Sequence, residues 1–291
     1  MDVSFLAQLL VDGIAIGLIY ALLAVGLSLI FGVLEIVNFA HGEFTMLGAM
    51  GVALSISTLG LPYWPAAALA VTGVCVLGCA VFELLLRVRR ASGFEHSLLM
   101  TLGLSLVLQN GAVYLVTATP RIVDTPFSFS RVEWGEISLP MPRVVAIALS
   151  LASFAVLWAI LHRTRTGRAM RGLAQSREAA LMVGIRPMVV ARLAVLLGVA
   201  LSAVAGAALA PVYAIHPAMG LPVVFKAFAV VIIGGLGSVG GAAAAAIALG
   251  IMESFAGGLA NTVVRDALGF VLMILVLLIR PQGLFGRGVR V

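Results

Sequence analysis

The chain is 291 residues long, 62% hydrophobic and only 10% charged, with a mean hydropathy of +1.18. A water-soluble domain carries nearer ~25% charged residues because its surface must face water, so this composition excludes a soluble protein and leaves a polytopic membrane protein. The apolar stretches are continuous rather than alternating, which argues against a β-barrel, and the net charge of +6 reads as the arginine excess of cytoplasmic loops rather than a nucleic-acid footprint.

In chain order, the first ten residues, MDVSFLAQLL, lack the basic region of a cleavable signal, and residues 14–34 are uncharged for 21 positions. At 1.5 Å per residue that crosses a hydrocarbon core of ~30 Å, so a retained helix is expected. A polar interruption at 35–43 follows. Residues 44–82 then carry no charge and are broken only by Gly60-Leu61-Pro62-Tyr63-Trp64-Pro65, whose prolines and aromatic pair suit an interfacial turn. Spans are therefore expected at about 44–59 and 65–86, the first short enough to be broken or re-entrant. Cys75 and Cys79, four apart, share one face of the second, which favours packing over a disulfide or metal site. Glu83 and Arg87 have the spacing of a helical ion pair.

Arg87, Arg89 and Arg90 form a basic cluster, and residues 97–119 make the next span. The segment 120–143 balances Arg121, Arg131 and Arg143 against Asp124, Glu133 and Glu136, as expected of an external loop. Spans at 144–161 and 193–215 enclose an arginine-rich loop. Two shortish spans fit in 223–264, joined by the glycine run 234–241, and a last one covers 267–279 and stops at Arg280-Pro281. The count is nine helices with the N-terminus outside and the C-terminus inside; if 44–59 is re-entrant, it is eight with the N-terminus inside. The expected fold is all-α: a single transmembrane bundle of eight or nine helices over residues 1–291, with a cytoplasmic loop at about 162–191.

That loop is the longest polar stretch in the chain, with six arginines against one carboxylate, Glu178, between positions 163 and 186. Ala169, Met170, Leu173 and Ala174 share a helical face, with Arg168 and Arg171 on another. Ser176 can cap a second short helix, with Glu178 in its first turn and Gly184 at its end. Two such helices fit either an anionic lipid surface or a groove on a partner.

Enzyme chemistry finds no footing. The four histidines, His41, His96, His162 and His216, form no ligand spacing, and no GxxxxGK[ST] phosphate loop is present. The glycine run contains no lysine, and the single lysine, Lys226, precedes it. No metal or cofactor is called for, and nucleotide hydrolysis belongs elsewhere. Within the membrane, two places lack simple oiliness. One is 38–48, where Asn38, His41, Glu43 and Thr45 are interleaved with Gly42 and Gly48. The other is the run containing Gly234, Gly235 and Gly237, followed by Glu253. Glycine-interrupted segments in both halves of a transporter mark a substrate path, since freed backbone groups are tolerated only against protein or a wet cavity. The plain alternatives are a cytoplasmic turn for the first and close helix packing for the second. A carboxylate as deep as Glu253 must face protein or water. Tyr20, Trp64, Tyr114 and Trp134 read as interface anchors.

Four stretches carry a family resemblance. GRAMRGLAQSREAALMVGI (167–185), in which Glu178-Ala179-Ala180 and Gly184 fit an E-A-A-x-x-x-G pattern, resembles the loop by which ABC-type importer permeases dock on their ATPases. NFAHGEFTMLGA (38–49), KAFAVVIIGGLGSVGGA (226–242) and RPQGLFGR (280–287) resemble the branched-chain amino-acid permease family of the LivH type. The likeness runs from about residue 8 to 287. It implies a type II importer-like permease in the bacterial inner membrane, working by alternating access. Its expected partners are a second related permease in a heterodimer, two ATP-binding subunits and a periplasmic solute-binding protein, within membrane lipid and without nucleic acid. The resemblance assigns Gly167, Arg168, Arg171, Glu178 and Gly184 to coupling. Asn38, His41, Gly42, Gly234, Gly235, Gly237 and Glu253 are the pathway candidates. Substrates other than branched-chain or hydrophobic amino acids, such as urea or short amides, remain alternatives. An ion-coupled carrier or channel would instead need buried ionisable pairs, of which the sequence offers only Glu253. A membrane assembly protein would have no use for the broken segments.

Overall fold

The structure is a computed structural model that describes residues 3–88, 94–116, 118–134 and 137–286. Its helices are α1 (Val3–Leu34), α2 (His41–Leu59), α3 (Tyr63–Val88), α4 (Phe94–Val116), α5 (Met141–Arg163), α6 (Arg165–Gln175), α7 (Arg177–Met182), α8 (Pro187–Leu209), α9 (Gly220–Gly234), α10 (Val239–Leu259) and α11 (Thr262–Ile279). Among the described residues nine helices are long and apolar enough to cross a membrane, all but α6 and α7. The expected all-α bundle and the larger of the two helix counts are both met. One small hairpin interrupts the helices: β1 (Arg131–Trp134) pairs antiparallel with β2 (Ile137–Pro140), Arg131 opposite Pro140.

The helix ends follow from local sequence. Gly60, in the left-handed region at φ 63°, closes α2. Pro142 and Pro187 sit in the first turns of α5 and α8, where a missing N–H costs nothing. Ser238 and Asn261 cap α10 and α11 by accepting from the amides of Gly241 and Val264.

The core is built from small residues. Helices α1 and α10 run against each other with glycines in the seam: a Cβ on Gly13 would lie 2.6 Å from the Ile251 Cα, and one on Gly250 2.4 Å from the Gly17 Cα. Such seams let backbones close together, which matters where lipid supplies no hydrophobic drive. The same device joins α2 to α8, where Gly206 faces the Thr45 carbonyl and Gly48 the Ala203 carbonyl.

Two four-helix sets, α1–α4 and α8–α11, repeat one pattern with α5 to α7 between them. In each, a long helix is followed by a non-helical stretch and then a helix that starts inside the bundle. Helix α1 packs on α10 and α8 on α3; α2 packs on α8 and α9, and α9 on α1 and α2. Five spans separate the starts of the two sets, so they run in opposite directions across the membrane. This is the inverted-repeat arrangement of transporters, with the broken helices meeting near mid-depth. The outer segments are tied down separately: Arg143 pairs with Asp12, Gln8 bonds Ser138 at both its amide and its carbonyl, and Arg121 bridges to Ile215.

Candidate translocation and coupling site

Residues 35–40 do not form a surface turn. Glu35 takes a left-handed conformation (φ 54°) at the end of α1, and the chain then turns back into the bundle. The His41 ring reaches the Leu23 carbonyl at 3.1 Å through Nε2, and Leu23 lies about eleven residues, roughly 16 Å, before the end of α1. Helix α2 therefore begins near mid-depth. Phe39 fixes the re-entrant strand, its ring 5.1 Å from that of Phe228 and 6.2 Å from that of Phe225 on α9. The Asn38 side-chain oxygen accepts from the Ala40 amide at 3.1 Å and shapes the turn into the helix.

Around this junction the polar side chains are fully enclosed. Asn38, His41, Glu43, Thr45 and Ser202 are each 0% exposed. Thr45 bonds Ser202 at 2.7 Å, and Ser202 donates onward to the His41 carbonyl at 2.7 Å. On α4, Ser97, Thr101 and Ser105 recur at four-residue spacing and are buried on one face. Ser105 donates to Glu43 Oε1 at 2.9 Å, while Thr101 Oγ1 receives the Phe39 amide at 3.3 Å and lies 3.1 Å from the Val37 carbonyl.

The second broken helix arrives from the opposite side. After α8 the chain passes through a short 3-10 turn, Pro217–Met219, and α9 starts at Gly220. Gly220 lies against both Gly42 and Glu43: a Cβ on Gly42 would fall 2.1 Å from the Gly220 carbonyl oxygen, and one on Gly220 2.5 Å from Glu43 Oε2. The structure thus brings Asn38, His41 and Gly42 together at one locus, with Glu43, Ser105 and Gly220 added to it.

The glycine run lies elsewhere. Gly235 (φ 100°) and Gly237 (φ 79°) make a tight turn between α9 and α10. The C-terminal segment docks on that turn, with Leu284 and Phe285 amides donating to the carbonyls of Ile233 and Gly234 at 2.8 and 3.2 Å. Gly237 approaches Gly32 near the end of α1, so Gly234, Gly235 and Gly237 sit at the end of the bundle that carries the α6–α7 loop and not beside Asn38 and His41.

Glu253 forms a third locus. It is 2% exposed, and its Oε2 receives Tyr20 Oη at 3.0 Å and Lys226 Nζ at 3.1 Å, while Lys226 also pairs with Asp266 at 3.3 Å. Tyr20 is therefore part of an internal network and not an interface anchor. Lys226, read in the sequence only as the lysine outside a phosphate loop, is the counter-ion. It lies six positions after Gly220 on α9, and no pattern in one sequence pairs it with Glu253.

The α6–α7 loop folds as its composition predicts. Thr164 caps α6 by accepting from the Gly167 amide; Ser176 caps α7 by accepting from the Ala179 amide, with Glu178 in the first turn. Gly184 (φ 81°) follows α7. Met170, Leu173 and Ala180 are buried, whereas Arg168 and Glu178 are exposed. Gly167 presses on the end of α5, where a Cβ would lie 2.2 Å from the Leu161 carbonyl oxygen, and Arg171 donates to that same carbonyl. Arg171 and Gly167 hold the loop on the bundle, and Glu178 faces outward with Leu181, Met182 and Val183, which are 51%, 82% and 76% exposed. Between α6–α7 and the end of α1 lies a cavity of about 360 Å³ lined in part by Gly32, Glu35, Ser176 and Arg177. Glu83 is held by Arg192 of α8 through two bonds of 2.9 and 2.8 Å; the Arg87 side chain, and Arg89 and Arg90, lie outside the described residues.

Comparison with known proteins decides the family. Residues 9–277 match the family described as "Branched-chain amino acid transport system / permease component". The chain belongs to this family. It is 30% identical to the high-affinity branched-chain amino acid transport system permease protein BraD of Pseudomonas aeruginosa, over 96% of this chain and 95% of that one. It is 29% identical to the LivH permease protein of Escherichia coli K12, over 97% and 96%. A probable LivH of Methanocaldococcus jannaschii is 26% identical over 91% and 88%. Among solved structures, PsaBC from Streptococcus pneumoniae in complex with Fab superposes with a TM-score of 0.54 at 11% identity, covering 96% of this chain and 92% of that one, a likeness of fold. The branched-chain permease resemblance read from the four motifs is thus met. The chain is a multi-pass inner-membrane transport permease.

Proposed function

We propose that this chain is the permease subunit of an ABC importer that moves branched-chain or other hydrophobic amino acids inward by alternating access, powered by separate ATPase subunits. The observation that carries the reading is the α6–α7 loop. Its buried side fixes it to the bundle, while Glu178 and the apolar Leu181, Met182 and Val183 are presented outward. A contiguous apolar patch beside charged groups on a loop is a surface for a partner. In this reading closure of two ATPase subunits drives the loop, and Gly167, Arg168, Arg171, Glu178 and Gly184 transmit the movement. The broken helices α2 and α9 change their packing in response, with Asn38, His41 and Gly42 at the passage. Gly234, Gly235 and Gly237 form the inner turn on that route, and Glu253 lies beside it. A second related permease completes the passage, and a periplasmic binding protein delivers the amino acid.

The ion-coupled carrier gains the Lys226–Glu253 pair, which the sequence did not reveal. Glu253 Oε2 is held by Lys226 and Tyr20, and Lys226 also by Asp266, while Glu253 Oε1 is buried without a partner. The charges of the pair compensate each other, which makes it a weak site for a coupling ion.

The test is reconstitution of the chain with its partner permease, ATPases and binding protein in proteoliposomes. ATP-dependent uptake of leucine, with no uptake of urea, is expected. Uptake by the purified chain alone under an ion gradient overturns the importer reading, and urea uptake in place of leucine overturns the substrate.

A further inference from the structure

We propose that Glu43 is the ammonium-binding group of the translocation route, covered in this conformation by α4. The inference rests on the amino-acid importer reading and adds to it a residue and a chemical role.

Glu43 is 0% exposed, and among the described residues no arginine, lysine or histidine forms an ion pair with it. Its carboxyl makes one hydrogen bond, from Ser105 to Oε1, and Oε2 has no partner. Buried charges are paired or neutralised. Protonation removes the charge, since an O–H on Oε1 can donate to Ser105 Oγ, but Oε2 then still lacks a donor. Either state leaves one group unsatisfied, which is the mark of a site whose occupant is elsewhere.

The neighbouring residues carry the same mark. Asn38 Nδ2 and His41 Nδ1 are also buried and unpartnered. A carboxylate beside a free amide N–H₂ matches a zwitterion, with ammonium on Glu43 and carboxylate toward Asn38. The room for the carboxylate exists only because residue 220 is glycine.

The cover is α4. It meets the junction through Ser97, Thr101 and Ser105, while Leu99, Leu106 and Val107 on its other side are 69%, 55% and 68% exposed. Hydroxyl contacts are readily exchanged for others, and among the described residues no ion pair ties α4 down. Its apolar contacts, Leu108, Ala112 and Val116, lie beyond the hydroxyl stripe toward the end of the helix. Outward movement of α4 uncovers Glu43 and leaves its partner oxygens to the passing ammonium.

Two measurements test this in the assembled transporter. In proteoliposomes the wild type is expected to take up leucine on ATP addition; if it takes up none, the importer reading fails and this inference is not the cause. Given wild-type uptake, Glu43→Gln, which keeps size and the Ser105 bond, is expected to lower kcat/KM for leucine on the order of tenfold or more, with Glu43→Asp recovering part of it. Wild-type uptake by Glu43→Gln overturns the proposal. If that variant does not assemble, Ser105→Cys in a Cys75→Ala, Cys79→Ala background decides. During ATP turnover its thiol is expected to react at least about tenfold faster with trimethylammonium-ethyl methanethiosulfonate than with the sulfonatoethyl reagent. No labelling, or labelling without charge preference, overturns it.

Discussion

Gly42 and Gly220 meet backbone to backbone: a Cβ on Gly42 would stand 2.1 Å from the Gly220 carbonyl oxygen and 2.8 Å from Val224 Cβ. Two broken helices entering from opposite sides can converge only if neither carries a side chain at the crossing. Gly42→Ala is therefore expected to force α2 and α9 apart, at a cost of about 1–3 kcal/mol or more from overpacking. Gly111→Ala, on α4 with nothing within 4 Å of its would-be Cβ, should be neutral. Thermal unfolding in detergent of the two variants measures the difference, and equal midpoints would remove the crossing from the account.

Lys226 and Glu253 give a second prediction. Glu253 is almost wholly enclosed and Lys226 is 19% exposed, with Tyr20 completing the set. Removing one partner of a buried pair leaves the other uncompensated and costs about 3–5 kcal/mol, whereas replacing both is far milder. Lys226→Met should thus be strongly destabilising, and Lys226→Met with Glu253→Gln should recover most of the loss. A double-mutant cycle read by thermal unfolding checks it; additive effects would mean that the two do not interact.

The larger units of the fold are legible in the sequence, and the depths of its segments are not. Continuous apolar stretches bounded by arginines mark membrane spans whatever the packing, so the nine-helix count and the caps at Ser176 and Gly184 were legible. The stretch 35–40 was not. Glu35-Ile36-Val37-Asn38-Phe39-Ala40 reads the same as a cytoplasmic turn and as an extended segment returning into the bundle. What separates them is the His41 contact to Leu23, eighteen positions away. Gly220 carries no signal of its own, and its meaning comes from Glu43 across the bundle. Tyr20 looked like an anchor because periodicity gives a residue's face on a helix and not what occupies the facing helix. Gly234, Gly235 and Gly237 are one candidate stretch and Asn38, His41 and Gly42 another, and only folding shows how far apart the two lie.

The α6–α7 loop divides by exposure. Glu178 is exposed, and Gly167 is buried against the end of α5. Glu178→Arg is expected to leave insertion and unfolding within about 0.5 kcal/mol of wild type, as for exposed substitutions generally, yet to release or uncouple the ATPase subunits. Gly167→Val should displace α6 itself and lower stability. Affinity capture of the ATPases on a tagged permease separates the two effects. Normal capture and full uptake with Glu178→Arg would sink the docking assignment.

The inner glycine turn supplies the last test. Gly235 holds φ 100°, a region closed to other residues at a cost of roughly 1–3 kcal/mol, and its would-be Cβ lies 2.4 Å from the Gly286 amide nitrogen. A side chain there must break the bonds by which Leu284 and Phe285 close the end of α9. Gly235→Leu is therefore expected to insert normally, to free the C-terminal segment to proteolysis, and to impair uptake. Gly240→Ala, with no atom within 4 Å of the added methyl, should do none of these. Limited proteolysis and uptake in the same proteoliposomes read both outcomes. Full uptake by Gly235→Leu with a released C-terminal segment would show that the turn closes the bundle without taking part in transport.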